Sequence, residues 1–234
     1  MEDDNPISFN FWPSFADMML ALVLVLCLAL FLVAAVLSMG TVNLKEVEGN
    51  QMSMINSIAA DYRVQPLKLS ENVYGIYFNN AESPDIEIHN DLNAQRITFS
   101  DKILFEPDHT ELKPAGEQVL RVVGQKLRAQ LSFIREIQIQ GHADTRPSQR
   151  YASNVVLAAN RAIAVFDFLQ DPTKVGINPA EHLMSVTSFG EYNSVGRTLG
   201  GGGDYDKARL EADNETEDLR RRNRRIELVL IYRR

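Results

Sequence analysis

The chain has 234 residues, a formal net charge of −7 at neutral pH and 45 % hydrophobic residues. That balance argues against a protein that binds nucleic acid over its whole surface. A single cysteine, Cys27, excludes an intrachain disulfide, and the four histidines (His89, His109, His142, His182) lie too far apart in sequence for the usual zinc-ligand spacings.

The first element is an apolar run. From Met18 to Leu37 there is no charged residue, which is enough helix to cross about 30 Å of hydrocarbon. The preceding MEDDN is acidic where a secretory signal is basic, and the apolar core is longer than a signal requires. A retained transmembrane helix is therefore expected over residues 13–39, behind a short cytoplasmic tail, 1–12. Phe9, Phe11 and Trp12 are placed for an interfacial aromatic belt, and Pro13 suits a first helical turn. The flanking charges are sparse. Lys45 and Arg63 taken alone would leave the C-terminal side in the cytoplasm, but a large domain translocates regardless of so small a bias.

Asp17 lies just inside the apolar run. An acid near a helix end can reach water from there. Alternatively it faces a bundle interior and marks an ion path.

Beyond the span, residues 40–95 are expected to form a linker with a short helix, marked by Met52, Ile55, Ile58 and Ala59 at helical spacing, and a strand hairpin over 73–78 and 86–89. Residues 96–105 predict two short strand pieces. Pro114 opens a helix whose apolar face is Val119, Leu120, Val123, Leu127 and Leu131. Alternation at Ile137 and Ile139 predicts a half-buried strand over 134–140, followed by a loop over 141–149. A second helix is expected over 155–169 and a strand over 183–189. The stretch 190–218, with its glycine run 200–203, predicts a mobile insertion and a short helix. RIELVLIY, 225–232, predicts a final buried strand. The order is that of an α/β domain with helices on one face of a mixed sheet.

Two sets of residues carry a resemblance. ILF, KPAGEQVL, IQIQGHAD, NVVLAANRA, SFGE and RRNRRIEL, in this order within residues 96–232, resemble the OmpA-like peptidoglycan-binding domain; the domain is accordingly placed at 96–234. FWPSFADMM resembles the start of the transmembrane helix in MotB-type stator subunits. GHAD stands where GHTD is commoner, Ser153 takes a place usually held by tyrosine with Tyr151 two residues away, and the glycine-rich insertion is unusual. No basic tail precedes the span, and the segment after it is short for a flagellar stator. These departures resemble the ZorB-type stator-like subunit of Zorya anti-phage defence systems.

The resemblance implies a fold: one N-terminal transmembrane helix followed by an OmpA-like periplasmic domain, in the bacterial inner membrane. It implies that Asp17 translocates an ion, H⁺ or Na⁺, beside a polytopic stator A-type subunit, five copies around a homodimer of this chain. It also implies that Asp144 receives the ammonium and Arg161 the carboxylate of a diaminopimelate side chain in peptidoglycan. Asn154 and Leu157 would shape that pocket, with Arg225 as a helper. Chemistry fits these roles, since a carboxylate pairs an ammonium and a guanidinium grips a carboxylate in a fork. The alternatives for Asp144 and Arg161 are a turn cap and a structural salt bridge.

RRRNRR, 220–225, is expected to serve fold and ligand contact; no nucleic-acid partner is expected on an acidic chain. An enzyme is the least expected class, because no nucleophile elbow or catalytic dyad is present and the glycine run lacks the lysine of a phosphate loop. No cofactor is expected. A flagellar stator and a static wall tether remain the rival functions, and Asp17 separates the tether from both motors.

Overall fold

The computed structural model describes residues 11–79, 83–199 and 204–233. The expected mobility of the glycine run 200–203 falls outside these. The chain divides into two units, Met1–Lys45 and Glu46–Arg234.

Helix α1 spans Trp12–Asp61, and within it Trp12–Val36 is, among the described residues, the one stretch long and apolar enough to cross a membrane. Among the described residues none of that stretch is buried, so its apolar surface needs lipid or a partner. Phe11 stacks on Trp12 with ring centroids 5.7 Å apart, and Trp12 meets Phe15 edge-on at 6.0 Å. Asp17 is exposed. Leu20, Ala21 and Leu24 share its face by helical spacing.

The second unit is built on a seven-stranded sheet. Its strands are β1 (Leu67–Ser70), β2 (Val73–Ile76), β3 (Ile86–Asn90), β4 (Ala94–Ser100), β5 (Ile134–His142), β6 (Leu183–Gly190) and β7 (Arg225–Tyr232). The spatial order is β1-β2-β3-β4-β7-β5-β6. Only β5 and β6 are parallel, because a helix returns the chain between them. Helices α2 (Asp101–Leu104), α3 (Pro114–Ala129), α4 (Asn154–Gln170), α5 (Val195–Leu199), α6 (Lys207–Ala212) and α7 (Glu217–Asn223) complete it.

Strand alternation sorts the side chains onto two faces. Ile88, Ile97, Leu228 and Ile139 lie in one row across β3, β4, β7 and β5. With Leu120, Val123 and Leu127 of α3, and Ala162, Val165 and Phe168 of α4, they form one apolar core. The opposite face carries Glu87, Thr98, Glu227 and Gln140 in the adjacent row.

Residues 40–95 are not a linker. Met54, Ile55 and Ile58 of α1 are fully buried in the same core, and β1, β2 and β3 belong to the same sheet. A buried polar clasp fixes this arrangement: Gln51 Nε2 donates to the carbonyls of Asp91 and Ala94 at 2.8 and 2.9 Å, and Gln95 Nε2 donates to the Gln51 carbonyl at 3.0 Å. Tyr232 donates its hydroxyl to Gln95 Oε1 at 3.0 Å. The folded body therefore begins near residue 46, not 96.

The two strand pieces expected over 96–105 are also corrected. One strand ends at Ser100, and Asp101 turns into α2, where its backbone N–H donates to the Arg224 carbonyl at 3.1 Å. The expected loop at 141–149 starts later, because Gly141 and His142 continue β5. Two short helices, α5 and α6, lie in the stretch expected to hold one, and a third, α7, begins at its end.

At Gly141, β5 approaches α4 closely. A Cβ built there would lie 2.1 Å from the Ala158 carbonyl oxygen, a backbone atom held by the helix. Gly141→Ala is expected to destabilise the fold by about 1–3 kcal/mol through overpacking, read as a lower midpoint of thermal unfolding. Gly49→Ala is the control: nothing lies within 4 Å of its added Cβ, and alanine favours the helix there.

Candidate functional site

A cavity of about 800 Å³ opens where β4 and β5 end and β7 begins. This is the carboxyl end of the parallel pair β5–β6, the usual place for ligands in α/β sheets. Asp144, Asn154, Leu157 and Arg161 all line it, with Asp101, Phe105, Glu106, Arg146, Glu217 and Arg224. Four of the five pocket residues read from the sequence are thus brought to one cavity.

Arg161 sits on the inner face of α4 and is 2 % exposed. Its guanidinium lies 5.2 Å from the Phe105 ring centroid. Nη1 donates to Asp101 Oδ2 at 3.1 Å, Nε to the His109 carbonyl at 2.8 Å, and Nη2 to the Glu106 carbonyl at 3.2 Å. A guanidinium has five N–H donors, so two remain among the described residues. The salt-bridge partner of Arg161 is Asp101, not Asp144. Burial raises the Asp101 pKa, with Arg161 and then Arg224 opposing.

Asp144 is also buried. Its Oδ2 accepts from Arg146 Nε and Nη2, at 3.2 and 3.1 Å, and from Arg224 Nη1. Among the described residues Oδ1 accepts only the Arg146 backbone N–H, at 2.9 Å, which leaves it acceptor capacity. Asn154 holds the loop in place: its Nδ2 donates to the Asp144 carbonyl at 3.0 Å, and its Oδ1 accepts from the Ser148 N–H at 3.0 Å. Ser153 caps α4, accepting from the Val156 N–H at 3.3 Å. Tyr151, displaced in sequence, hydrogen-bonds Thr110 at 2.9 Å. Asp108 accepts from Ser148 Oγ at 2.6 Å and from the N–H groups of Gln149 and Arg150. It thereby ties the loop before α3 to the loop before α4.

Arg225 does not line this cavity. It points with Glu227 to the opposite face of the sheet, where its Nε donates to Glu227 Oε1 at 2.6 Å. Its neighbour Arg224 fills the place instead, bridging Asp144, Asp101 and Glu217. Arg224, followed by Arg220, pulls Glu217 down to about 2. The signal for this exchange lay in the strand: Ile226, Leu228 and Leu230 face the core, so Arg225 must share the outward side of Glu227. Asp101, Arg146 and Glu217 carried no comparable signal, since their roles depend on contacts between distant elements.

His142 is wholly packed. It stacks on Phe189 at 5.1 Å and its Nδ1 lies 3.2 Å from the Asn193 carbonyl oxygen. Burial first, then the nearby Arg225, lowers its pKa from 6.5 to about 3, with Glu227 opposing. The folded state thus binds fewer protons than the unfolded chain between those values. Stability is expected to fall by up to roughly 1.4 kcal/mol per pH unit as pH drops below about 6.5. His142→Gln is expected to flatten that dependence in thermal unfolding measured from pH 7 to 4.

Comparison with known proteins agrees with this architecture. A family model described as the OmpA family matches residues 104–199. The crystal structure of a putative MotB-like protein from Desulfovibrio vulgaris superposes with a TM-score of 0.56 at 21 % identity, covering 81 % of this chain and 98 % of that one. Two structures of the periplasmic domain of Helicobacter pylori MotB give TM-scores of 0.54 and 0.50, at 18 % and 19 % identity. They cover 70 % and 64 % of this chain, and 90 % and 84 % of theirs. No curated protein matches the chain significantly. Residues 104–199 thus match the OmpA family, within a folded body that shares the fold of MotB periplasmic domains.

Proposed function

We propose that this chain is the B-type subunit of an ion-driven rotary motor, anchored to peptidoglycan, and that the motor is of the Zorya anti-phage kind. The supporting observation is a pairing within one chain. An otherwise uncharged apolar helix carries Asp17 near its start, and the other unit has the MotB periplasmic fold with Asp144 and Arg161 lining one cavity.

In this reading the chain sits in the bacterial inner membrane with its N-terminus in the cytoplasm and residues 46–234 in the periplasm. Two copies stand inside a ring of five polytopic A-type subunits. The exposed face of Asp17, Leu20, Ala21 and Leu24 turns against that ring. H⁺ or Na⁺ passing Asp17 changes its charge, and with it the fit to the surrounding helices.

The wall pocket takes the zwitterionic end of a diaminopimelate side chain. Asp144 Oδ1 has capacity for the ammonium, while the two spare N–H groups of Arg161 meet the carboxylate. Asn154 holds the Asp144 loop, and Leu157 supplies the apolar wall. Arg146 and Arg224 already crowd Asp144 Oδ2, so the ligand enters from the Oδ1 side.

The test is a comparison of phage plating and swimming motility in the native host, with the gene intact and deleted. Loss of phage protection with normal swimming supports the defence motor. Loss of swimming alone assigns the chain to a flagellar stator and overturns the Zorya reading.

A further inference from the structure

The arginine run of α7 is divided by the fold. Arg220 donates to the carbonyls of Asn214 and Glu215, Arg224 enters the large cavity, and Arg225 is buried against Glu227. Arg221 and Arg222 are left on the outer side of the helix. There they border a second, smaller cavity of about 150 Å³.

The floor of that cavity is the polar face of the sheet. Glu87 and His89 of β3, Arg96, Thr98 and Ser100 of β4, and Arg225 and Glu227 of β7 line it, roofed by Val195 and Thr198 of α5. Four arginines therefore meet two carboxylates. Arg225 and Glu227 neutralise each other at 2.6 Å. Arg221 pairs only with the exposed Asp218, at 3.0 Å. Arg222 has no ion pair among the described residues. Arg96 Nε lies 3.2 Å from Glu227 Oε2, yet it makes no hydrogen bond and is buried. Arg96 is thus ion-paired with Glu227, but none of its N–H groups makes a hydrogen bond to a described residue; its terminal N–H groups are not buried and are open to an acceptor from solvent or from a ligand.

We propose that this cavity is an oxyanion subsite that takes one carboxylate or phosphate group between Arg96 and Arg222, with Thr98 as a further donor. Its size suits such a group, being about five water volumes. Glu87 on the opposite wall limits the charge the site accepts. Arg221 lines this cavity and the large one, so an anionic group here can belong to a ligand that spans both. The site does not depend on the wall-binding reading.

The experiment titrates the full chain in detergent with sodium phosphate and with sodium acetate, against sodium chloride at equal ionic strength, by calorimetry. Saturable binding of at least one oxyanion is expected, weakened tenfold or more in Arg222→Glu. Arg222 is exposed and unpaired, so this variant is expected to fold; a circular dichroism melt checks that. Arg96→Gln, which also disturbs Glu227, serves as the second variant. Asp144→Asn is expected to leave oxyanion binding unchanged, which separates this site from the wall pocket. A soluble disaccharide-tetrapeptide that competes with phosphate identifies a wall carboxylate as the source. Phosphate binding without such competition identifies free phosphate or a headgroup. No saturable binding of either oxyanion, or equal affinity in folded Arg222→Glu, overturns the proposal.

Discussion

Asp17→Asn is expected to abolish motor output completely while leaving the protein at its normal membrane level. A neutral amide of the same shape keeps the helix and its packing but cannot exchange a proton or neutralise a cation. On the proposed defence reading, the variant is expected to reproduce the gene deletion in phage plating in the native host, with the chain still co-purifying with the proposed A-type partner. Asp17→Glu, which keeps the carboxylate and lengthens its reach, is expected to retain part of the output. If Asn is tolerated while deletion has a phenotype, the residue is an interfacial acid and the chain a static wall tether. The helix contributes to this expectation directly: Asp17 is exposed on it, so a partner that gives it a function is expected to come from another chain.

Asp144→Asn is expected to weaken binding to purified sacculi by at least roughly thirtyfold, equivalent to about 2 kcal/mol or more for a lost buried charge pair. The fold is expected to survive, because the amide oxygen keeps the Arg146 N–H bond and the backbone carbonyl still serves Asn154. Arg161→Ala is expected to abolish binding too, but with a structural cost. Arg161 lies against Asp101 at 3.1 Å, and removing it leaves a buried carboxylate without its main partner, at a cost of about 3–5 kcal/mol. The pH dependence separates the two effects. The Asp101 pKa is raised in the fold, so its contribution is present below the ordinary carboxylate range and is lost as pH rises. Without Arg161 to oppose burial, that loss grows, and the variant is expected to be least stable near neutral pH. Asp101→Asn in the Arg161→Ala background is expected to restore the unfolding midpoint but not sacculus binding. Restored binding would make Arg161 structural only.

Much of the fold was legible because it rests on local rules. The Pro114 helix, the α4 stripe and the strands at Ile137 and Leu228 follow from periodicity, which the structure keeps to within one or two residues. Residues 40–95 were misread for a physical reason. Their amphipathic helix and hairpin have the same local pattern whether they stand alone or cap a sheet. The clasp of Gln51, Gln95 and Tyr232 joins residues far apart in the chain. Nothing local marks such a partner.

The site divides in the same way. Asp144, Asn154, Leu157 and Arg161 came from the resemblance of GHAD and NVVLAANRA to the OmpA-like domain, and the structure brings them to one cavity. The sequence by itself determined the apolar span with its lone acid and the α/β order. Only the tertiary structure decided that Asp101 is the counter-ion of Arg161, that Arg224 and not Arg225 lines the cavity, and that Arg222 and Arg96 line a second one. Those outcomes depend on which element lies against which. Buried charges must find partners wherever the packed chain presents them, and that geometry is set by the whole core rather than by any local stretch.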